Sequence, residues 1–188
     1  MAAAVGVSRF LVALALFFLA GLLPRLGLVL QGYAFADDFG HGYAPHLESY
    51  RPLLAATVLF WESMFGSGYL LTVVPRVMAC FWSALAFASM LPVAVRVGCT
   101  YRVYVVLAVA ALLHPAFNEL LLWGVLESTA FSMSMAASGI ALFVVGSGRW
   151  TKGSGLLLVA LSATGNQLVA SLGVSTVLVI WVAGRLGR

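Results

Sequence analysis

Two adjacent carboxylates, Asp37 and Asp38, are the residues of this chain best suited to chemistry. Adjacent acids can supply a general base with an orienting partner, or they can hold a divalent cation. As a base, such a carboxylate could take the proton of a sugar hydroxyl that attacks a phosphate-activated anomeric carbon. His41 and Arg51 follow nearby and could offset the charge of that phosphate. The same pair could also simply cap a loop in solvent, and its spacing leaves both interpretations open.

The composition places these residues in a membrane protein. The chain has 188 residues, of which 63% are hydrophobic and 9% charged, and its mean hydropathy is +1.06. A soluble domain needs a more polar surface than this. The net charge of +4 fits cytoplasmic loops better than a nucleic-acid-binding surface. We therefore expect the lipid bilayer as a partner and no nucleic acid.

The cysteines and the loop acids bear on cofactors. Cys80 and Cys99 lack CxxC spacing, which argues against a disulfide framework or a zinc site. The sequence requires no cofactor. A divalent cation at the paired acids is left open, and no metal ligands are assigned.

Long apolar segments provide the frame that must position the acids. A membrane-spanning helix needs about 20 apolar residues, and the sequence predicts an all-α, polytopic membrane bundle with about five or six membrane helices. We treat residues 1–188 as a single transmembrane domain, with the first segment retained rather than cleaved as a signal peptide. The segments run from Arg9 to Leu30, Leu70 to Val95, Val103 to Leu113, Leu120 to Val145, Gly155 to Ala163 and Leu168 to Ala183.

The first segment and the loop after it have distinct features. Pro24 and Arg25 lie near the far end of the segment, where we expect a kink and a side chain that snorkels to the interface. The first outer loop covers residues 31–51 and is rich in glycine and polar residues. Residues 52–65 begin with a proline suited to a first helical turn, and we predict a helix that lies in the membrane interface.

The charges orient the bundle. With the N-terminus in the cytoplasm, all six acids fall on the outer side, and most basic residues fall on the inner side, as the positive-inside rule requires. The inner basic residues are Arg9, Arg96, Arg102, Arg149, Lys152, Arg185 and Arg188.

Polar breaks recur on the outer side, where apolar segments end early. Backbone cannot be left bare in lipid, so short helices there predict a single outward-opening cavity. The candidate lining residues are His114, Asn118, Glu119, Glu127, Asn166 and Gln167. Alternatively, His114 ends a helix, and Asn166 and Gln167 only satisfy broken helix ends. The serines from Ser128 to Ser138, with Gly139, are typical of tight helix packing rather than of nucleophiles.

The order of these motifs resembles the bacterial and phage Gtr type II glucosyltransferases, which modify O-antigen. The resemblance rests on Asp37-Asp38-Phe39-Gly40 and Arg51-Pro52-Leu53. Pro115-Ala116-Phe117-Asn118-Glu119 and Leu161-Ser162-Ala163-Thr164-Gly165-Asn166-Gln167 support it. The resemblance spans most of this chain and is carried by short motifs.

The resemblance implies a fold similar to the GT-C class of polytopic glycosyltransferases. It further implies a polyprenyl-phosphate donor that carries a hexose such as glucose, and a glycan acceptor on the periplasmic face of the bacterial inner membrane. Asp37 or Asp38 would be the catalytic carboxylate of the first outer loop. Arg51 and His41 would lie near the donor phosphate.

A non-catalytic role is the alternative hypothesis. A small integral membrane protein, such as a flippase for lipid-linked sugars or an assembly partner, could use the same cavity for binding alone. The halves show no convincing internal repeat, which argues weakly against a transporter. Family members have more spans, so a truncated, inactive homologue and a second membrane chain that supplies the missing helices are further expectations.

Overall fold

The computed structural model describes residues 6–31, 52–66, 69–118, 127–164 and 167–186. Within these ranges the structure is all helical, as the sequence predicts. The helices are α1 (Val7–Leu22), α2 (Leu26–Gln31), α3 (Pro52–Phe65), α4 (Tyr69–Arg96), α5 (Tyr101–Leu113), α6 (Glu127–Val145), α7 (Arg149–Leu161) and α8 (Gln167–Leu186). Short 3₁₀ turns, Leu23–Arg25 and Ser162–Thr164, follow α1 and α7.

Within the described ranges, three stretches are long and apolar enough to cross a membrane. They are Val7–Leu30, Val73–Arg96 and Ser128–Val145, and Tyr101–Leu113 and Ser171–Trp181 are shorter apolar helices. Many large apolar side chains on the outer faces are exposed, including Leu11, Val106 and Val179, which suits surrounding lipid. The bundle with candidate membrane spans is thus confirmed in its coarse form.

Contacts between helix ends define two ends of the bundle. At one end the Tyr101 hydroxyl donates to the Arg9 carbonyl oxygen at 3.3 Å, and α4 and α6 terminate here. We call this the basic end, after its residues Arg9, Arg96, Arg102, Arg149 and Lys152. At the opposite end, Val29 packs against Val73, and the Tyr69 hydroxyl donates to the Leu30 carbonyl oxygen.

An apolar core joins α1, α4 and α5. Phe17 is fully buried and packs edge to face on Phe87 and Tyr104, with ring centroids 6.2 and 6.3 Å apart. The Tyr104 hydroxyl donates to the Phe87 carbonyl oxygen at 2.6 Å, which satisfies a polar group that would otherwise be costly among apolar residues. This core holds α1 against α4 and α5.

A second seam brings α6 and α7 into close approach at two glycines. A Cβ atom at position 139 would lie 2.5 Å from the Gly155 carbonyl oxygen, and one at position 155 would lie 2.6 Å from the Gly139 carbonyl oxygen. On the α4 side of α6, the hydroxyls of Ser89 and Ser138 are 2.9 Å apart. The prediction that the small residues of this stretch serve tight packing is confirmed.

The seam predicts unequal effects for one substitution at two neighbouring glycines. Gly155→Leu should lower the free energy of unfolding by about 1–3 kcal/mol or more, because the new side chain meets backbone atoms that cannot move aside. Gly153→Leu is the matched control, since nothing lies within 4 Å of a Cβ atom there. Thermal unfolding in detergent, followed by tryptophan fluorescence, measures both, and equal melting temperatures would contradict the packing argument.

Candidate functional site

The candidate site is built around Arg25, at the end of the bundle opposite the basic end. Pro24 lacks a backbone N–H and cannot continue the α-helical hydrogen bonding of α1. The chain tightens here into the 3₁₀ turn Leu23–Arg25 before α2 resumes the helix. This break holds Arg25 against the rest of the bundle, and its side chain is only 3% exposed.

The second part of the site is the turn that follows α5. Pro115 disfavours helical backbone in the residue before it, and His114 accordingly has φ −65° and ψ 136°, in the extended region. The His114 carbonyl oxygen accepts from the Phe117 N–H at 3.0 Å, and the Pro115 carbonyl oxygen accepts from the Asn118 N–H at 2.9 Å. The sequence therefore ends α5 at Leu113 and folds residues 114–118 into a compact turn.

Hydrogen bonds from Arg25 join these two parts. Its Nε donates to Asn118 Oδ1 at 2.8 Å, and its Nη1 donates to the Gly21 carbonyl oxygen at 3.0 Å. Its Nη2 makes a longer contact of 3.4 Å with the His114 carbonyl oxygen. One guanidinium group thus ties α1 to a turn 93 residues further along the chain.

All three acceptors are neutral. Two are backbone carbonyls and one is a side-chain amide, and within the described ranges no carboxylate forms an ion pair with Arg25. A charge that is removed from water is costly unless it is paired, and ionisable groups inside membrane spans are rare and usually functional. The hydrogen bonds position the guanidinium but leave its positive charge uncompensated by these partners.

A second guanidinium is buried in the same layer. Arg76 lies on α4 and is 0% exposed, next to Val73 and Val77, which pack against Val29 and Leu22. Arg25 also lies close enough to Cys80, one helical turn beyond Arg76, to interact with it electrostatically. Arg76 has an interaction partner of its own, so Arg25 is the guanidinium of this layer whose described hydrogen-bond acceptors are all neutral.

Two of the predicted cavity residues are brought together here. His114 and Asn118 both contact Arg25, although the His114 imidazole itself turns back, with its Nδ1 accepting from the Ala116 N–H at 3.1 Å. That contact agrees with the interpretation of His114 as a helix-end residue. Glu127 and Gln167 are the first residues of α6 and α8.

The other predicted site residues lie outside the described part of the chain. They are Asp37, Asp38, His41, Arg51, Glu119 and Asn166. Their assigned roles therefore stay predictions. Among the residues that the structure describes, no group of three or more His, Cys, Asp and Glu side chains is placed to hold a metal ion.

Sequence reasoning misplaced Arg25. Its side chain was expected to snorkel to the interface, but it is buried, because acceptors on another segment reach it where it stands. A signal was available in the sequence. Pro24-Arg25 and Pro75-Arg76 repeat one dipeptide in two apolar segments, and both arginines are buried at the same end of the bundle.

The Arg25 contacts predict a stability effect at Asn118. Asn118→Ala should lower the free energy of unfolding by about 1–3 kcal/mol, because it removes the acceptor of a buried charged donor. Ser63→Ala is the control, since Ser63 Oγ only bonds the exposed Phe60 carbonyl oxygen within α3. Chemical or thermal unfolding in detergent measures both variants. An unchanged midpoint for Asn118→Ala would show that this hydrogen bond is not important for the fold.

Comparisons with known proteins find no relative of this chain. No family model matches the chain, and no curated protein and no solved structure matches it either. What the chain does is therefore inferred from the cluster of Arg25, Asn118 and His114 and from the sequence motifs around it.

Proposed function

We propose that the chain is a membrane glycosyltransferase of GT-C type. It would transfer a hexose, glucose by its resemblance to the Gtr type II enzymes, from a polyprenyl-phosphate sugar to a periplasmic glycan such as O-antigen. The protein would lie in the bacterial inner membrane with five or six crossings and a cytoplasmic N-terminus. Helix α3 would lie in the outer interface.

One observation carries the proposal. Arg25 is buried in an apolar bundle with only neutral described acceptors, at the end where the acid-bearing segments begin. Helix α2 ends there, directly before residues 32–51, and α3 packs there against α4 and the 3₁₀ turn Ser162–Thr164. The segment that carries Asp37 and Asp38 thus leaves and rejoins the described bundle at the Arg25 end.

In the proposed reaction, the acidic residues activate the acceptor hydroxyl, and the basic residues stabilise the leaving phosphate. Asp37 or Asp38 takes the proton of an acceptor hydroxyl, whose oxygen bonds to the anomeric carbon of the donor sugar. The bond between that carbon and the phosphate oxygen breaks, and polyprenyl phosphate leaves with both electrons. Arg51 and His41, with their positive or polar groups, would offset the charge of the leaving phosphate.

The proposed base predicts the effect of two substitutions. In membranes supplied with a labelled polyprenyl-phosphate hexose and a glycan acceptor, the wild-type chain should transfer sugar. Asp37→Asn or Asp38→Asn should lower the rate by about 10²–10⁴-fold, as expected for loss of a general base. Glu62→Gln, on α3, removes a charge outside the proposed machinery and should leave the rate unchanged.

Two outcomes would contradict the activity. Full transfer by both aspartate variants would exclude them as the base. Absence of transfer by the wild-type chain would reject a self-sufficient enzyme and favour the binding role of a flippase or an assembly partner, or the need for a second membrane chain.

The proposed orientation makes Cys99 a topological reporter. Cys99 is half-buried at the basic end, whereas Cys80 is fully buried. In spheroplasts, a charged, membrane-impermeant thiol reagent should label Cys99 only after permeabilisation, because the basic end faces the cytoplasm. An Ala36→Cys variant should be labelled in both conditions. Labelling of Cys99 in intact spheroplasts would show the opposite orientation, with the basic end outside.

A further inference from the structure

We propose that a groove at the basic end binds an anionic phospholipid, with one acyl chain in the groove and the phosphate at the basic side chains around its mouth. The groove is formed by α1, α4, α6 and α7, at the end of the bundle opposite Arg25. The inference is independent of the proposed sugar transfer, since it uses none of the residues assigned to that reaction.

The groove has the size and the surface that a hydrocarbon chain requires. Its volume is about 470 Å³, within the range of pockets that hold small ligands. Its serines, Ser89 and Ser138, bond to each other at 2.9 Å, so each hydroxyl already has a partner. An acyl chain can therefore lie here without leaving a polar group unsatisfied. The apolar lining residues include Phe10, Pro92, Ala141, Leu142 and Val145.

Basic side chains flank the mouth of the groove on two helices. On α4, Pro92 lines the groove, and Arg96 lies on the same helical face one turn nearer the end of the helix. On α7, Thr151 lines the groove in the first helical turn, which also carries Arg149 and Lys152. All three basic side chains are exposed. Their positive groups are thus available to a phosphate at the mouth.

The positive charge of the basic end is not balanced by nearby acids among the described residues. The described acids are Glu62, on α3, and Glu127, the first residue of α6. Both helices place them toward the opposite end of the bundle, where α3 packs against the 3₁₀ turn Ser162–Thr164. A cluster of Lys and Arg without acids at a membrane surface attracts anionic lipids.

The level of the mouth suits a lipid headgroup. Trp150, beside Arg149, is 86% exposed, and tryptophan side chains anchor helices at the level of the headgroups. From this level the groove follows α6 inward from Val145 to Ser138, a helix rise of about 10 Å. Charge at the surface and an apolar groove below it together match an amphiphile. A free anion would use only the charges, and a neutral lipid would use only the groove.

A binding experiment tests the site on the full chain, purified in detergent. The probes are phosphatidylglycerol and phosphatidylcholine with identical acyl chains, and native mass spectrometry measures the binding of each. The wild-type chain should bind phosphatidylglycerol about fivefold or more tightly, because the choline group of the other lipid opposes its phosphate charge. Arg96→Gln should lower the affinity for phosphatidylglycerol by about fivefold, the effect of one basic residue near a membrane surface. Equal wild-type affinities for the two lipids would overturn the inference.

Arg102→Gln is the matched control for the charge. It removes the same charge from an exposed arginine of the same end. Arg102 lies on α5, and none of the described residues that line the groove is on that helix. Its affinity for phosphatidylglycerol should stay close to that of the wild-type chain. Equal losses for Arg96→Gln and Arg102→Gln would mean that the basic end attracts lipid without a defined site, and would overturn the inference.

A second variant tests the groove while every charge is kept. Ala141→Phe places a ring in the groove and should weaken the binding of phosphatidylglycerol by about fivefold or more, because the acyl chain loses apolar contact area. Val106→Phe is its control, at a side chain of α5 that is 66% exposed, and should bind like the wild-type chain. Unchanged binding by Ala141→Phe would contradict an acyl chain in the groove. Arg96→Gln, which changes an exposed side chain, tests the site even where Ala141→Phe fails to fold.

Other occupants of the groove would give distinct results. Glycerophosphoglycerol, the headgroup without acyl chains, should not displace phosphatidylglycerol. Displacement at equal concentration would show an anion site that does not use the groove. A second copy of the chain in the groove would appear as a dimer that Ala141→Phe dissociates and that lipid does not. Either result would overturn the phospholipid site.

Discussion

The constraint on which this bundle depends most is the burial of a guanidinium group in an apolar surrounding. Arg25 is almost fully enclosed, and each of its nitrogens must find an acceptor to offset the loss of water. The acceptors come from its own helix at Gly21 and from the turn after α5 at His114 and Asn118. These bonds, together with the packing of Phe117 on Phe87, fix the relative placement of α1 and that turn.

The polar cluster around Arg25 lies at the end of the bundle where helices are interrupted, because the described helices pack closely elsewhere. Toward the basic end, α1, α4 and α5 pack through apolar and aromatic side chains around Phe17. The α6–α7 seam reaches backbone contact at Gly139 and Gly155. In such close packing, polar groups that lack partners are costly. Polar residues therefore gather where helices are interrupted, at the 3₁₀ turn of Arg25 and after α5.

The sequence predicted local features well because local rules decide them. Helix α3 spans Pro52–Phe65, as the proline at its start and the glycine after Phe65 indicate. The end of α5 follows from Pro115, and the small residues of α6 predict its close packing. The partner of Arg25 was out of reach, because it lies 93 residues away and no periodicity pairs two distant segments. Long basic side chains near the ends of membrane helices usually extend toward the interface, and this rule predicted that Arg25 would do the same.

The choice of arginine at position 25 bears on what the cluster does. A lysine ammonium is compact and readily gives up its proton when buried, whereas arginine keeps its charge. The planar guanidinium also reaches acceptors that lie in different directions, here an amide and two carbonyls. A residue needed only to bridge these neutral acceptors could do so without a permanent charge. Among the described residues, the positive charge that arginine maintains at this depth is therefore offset by the dipoles of these neutral acceptors alone.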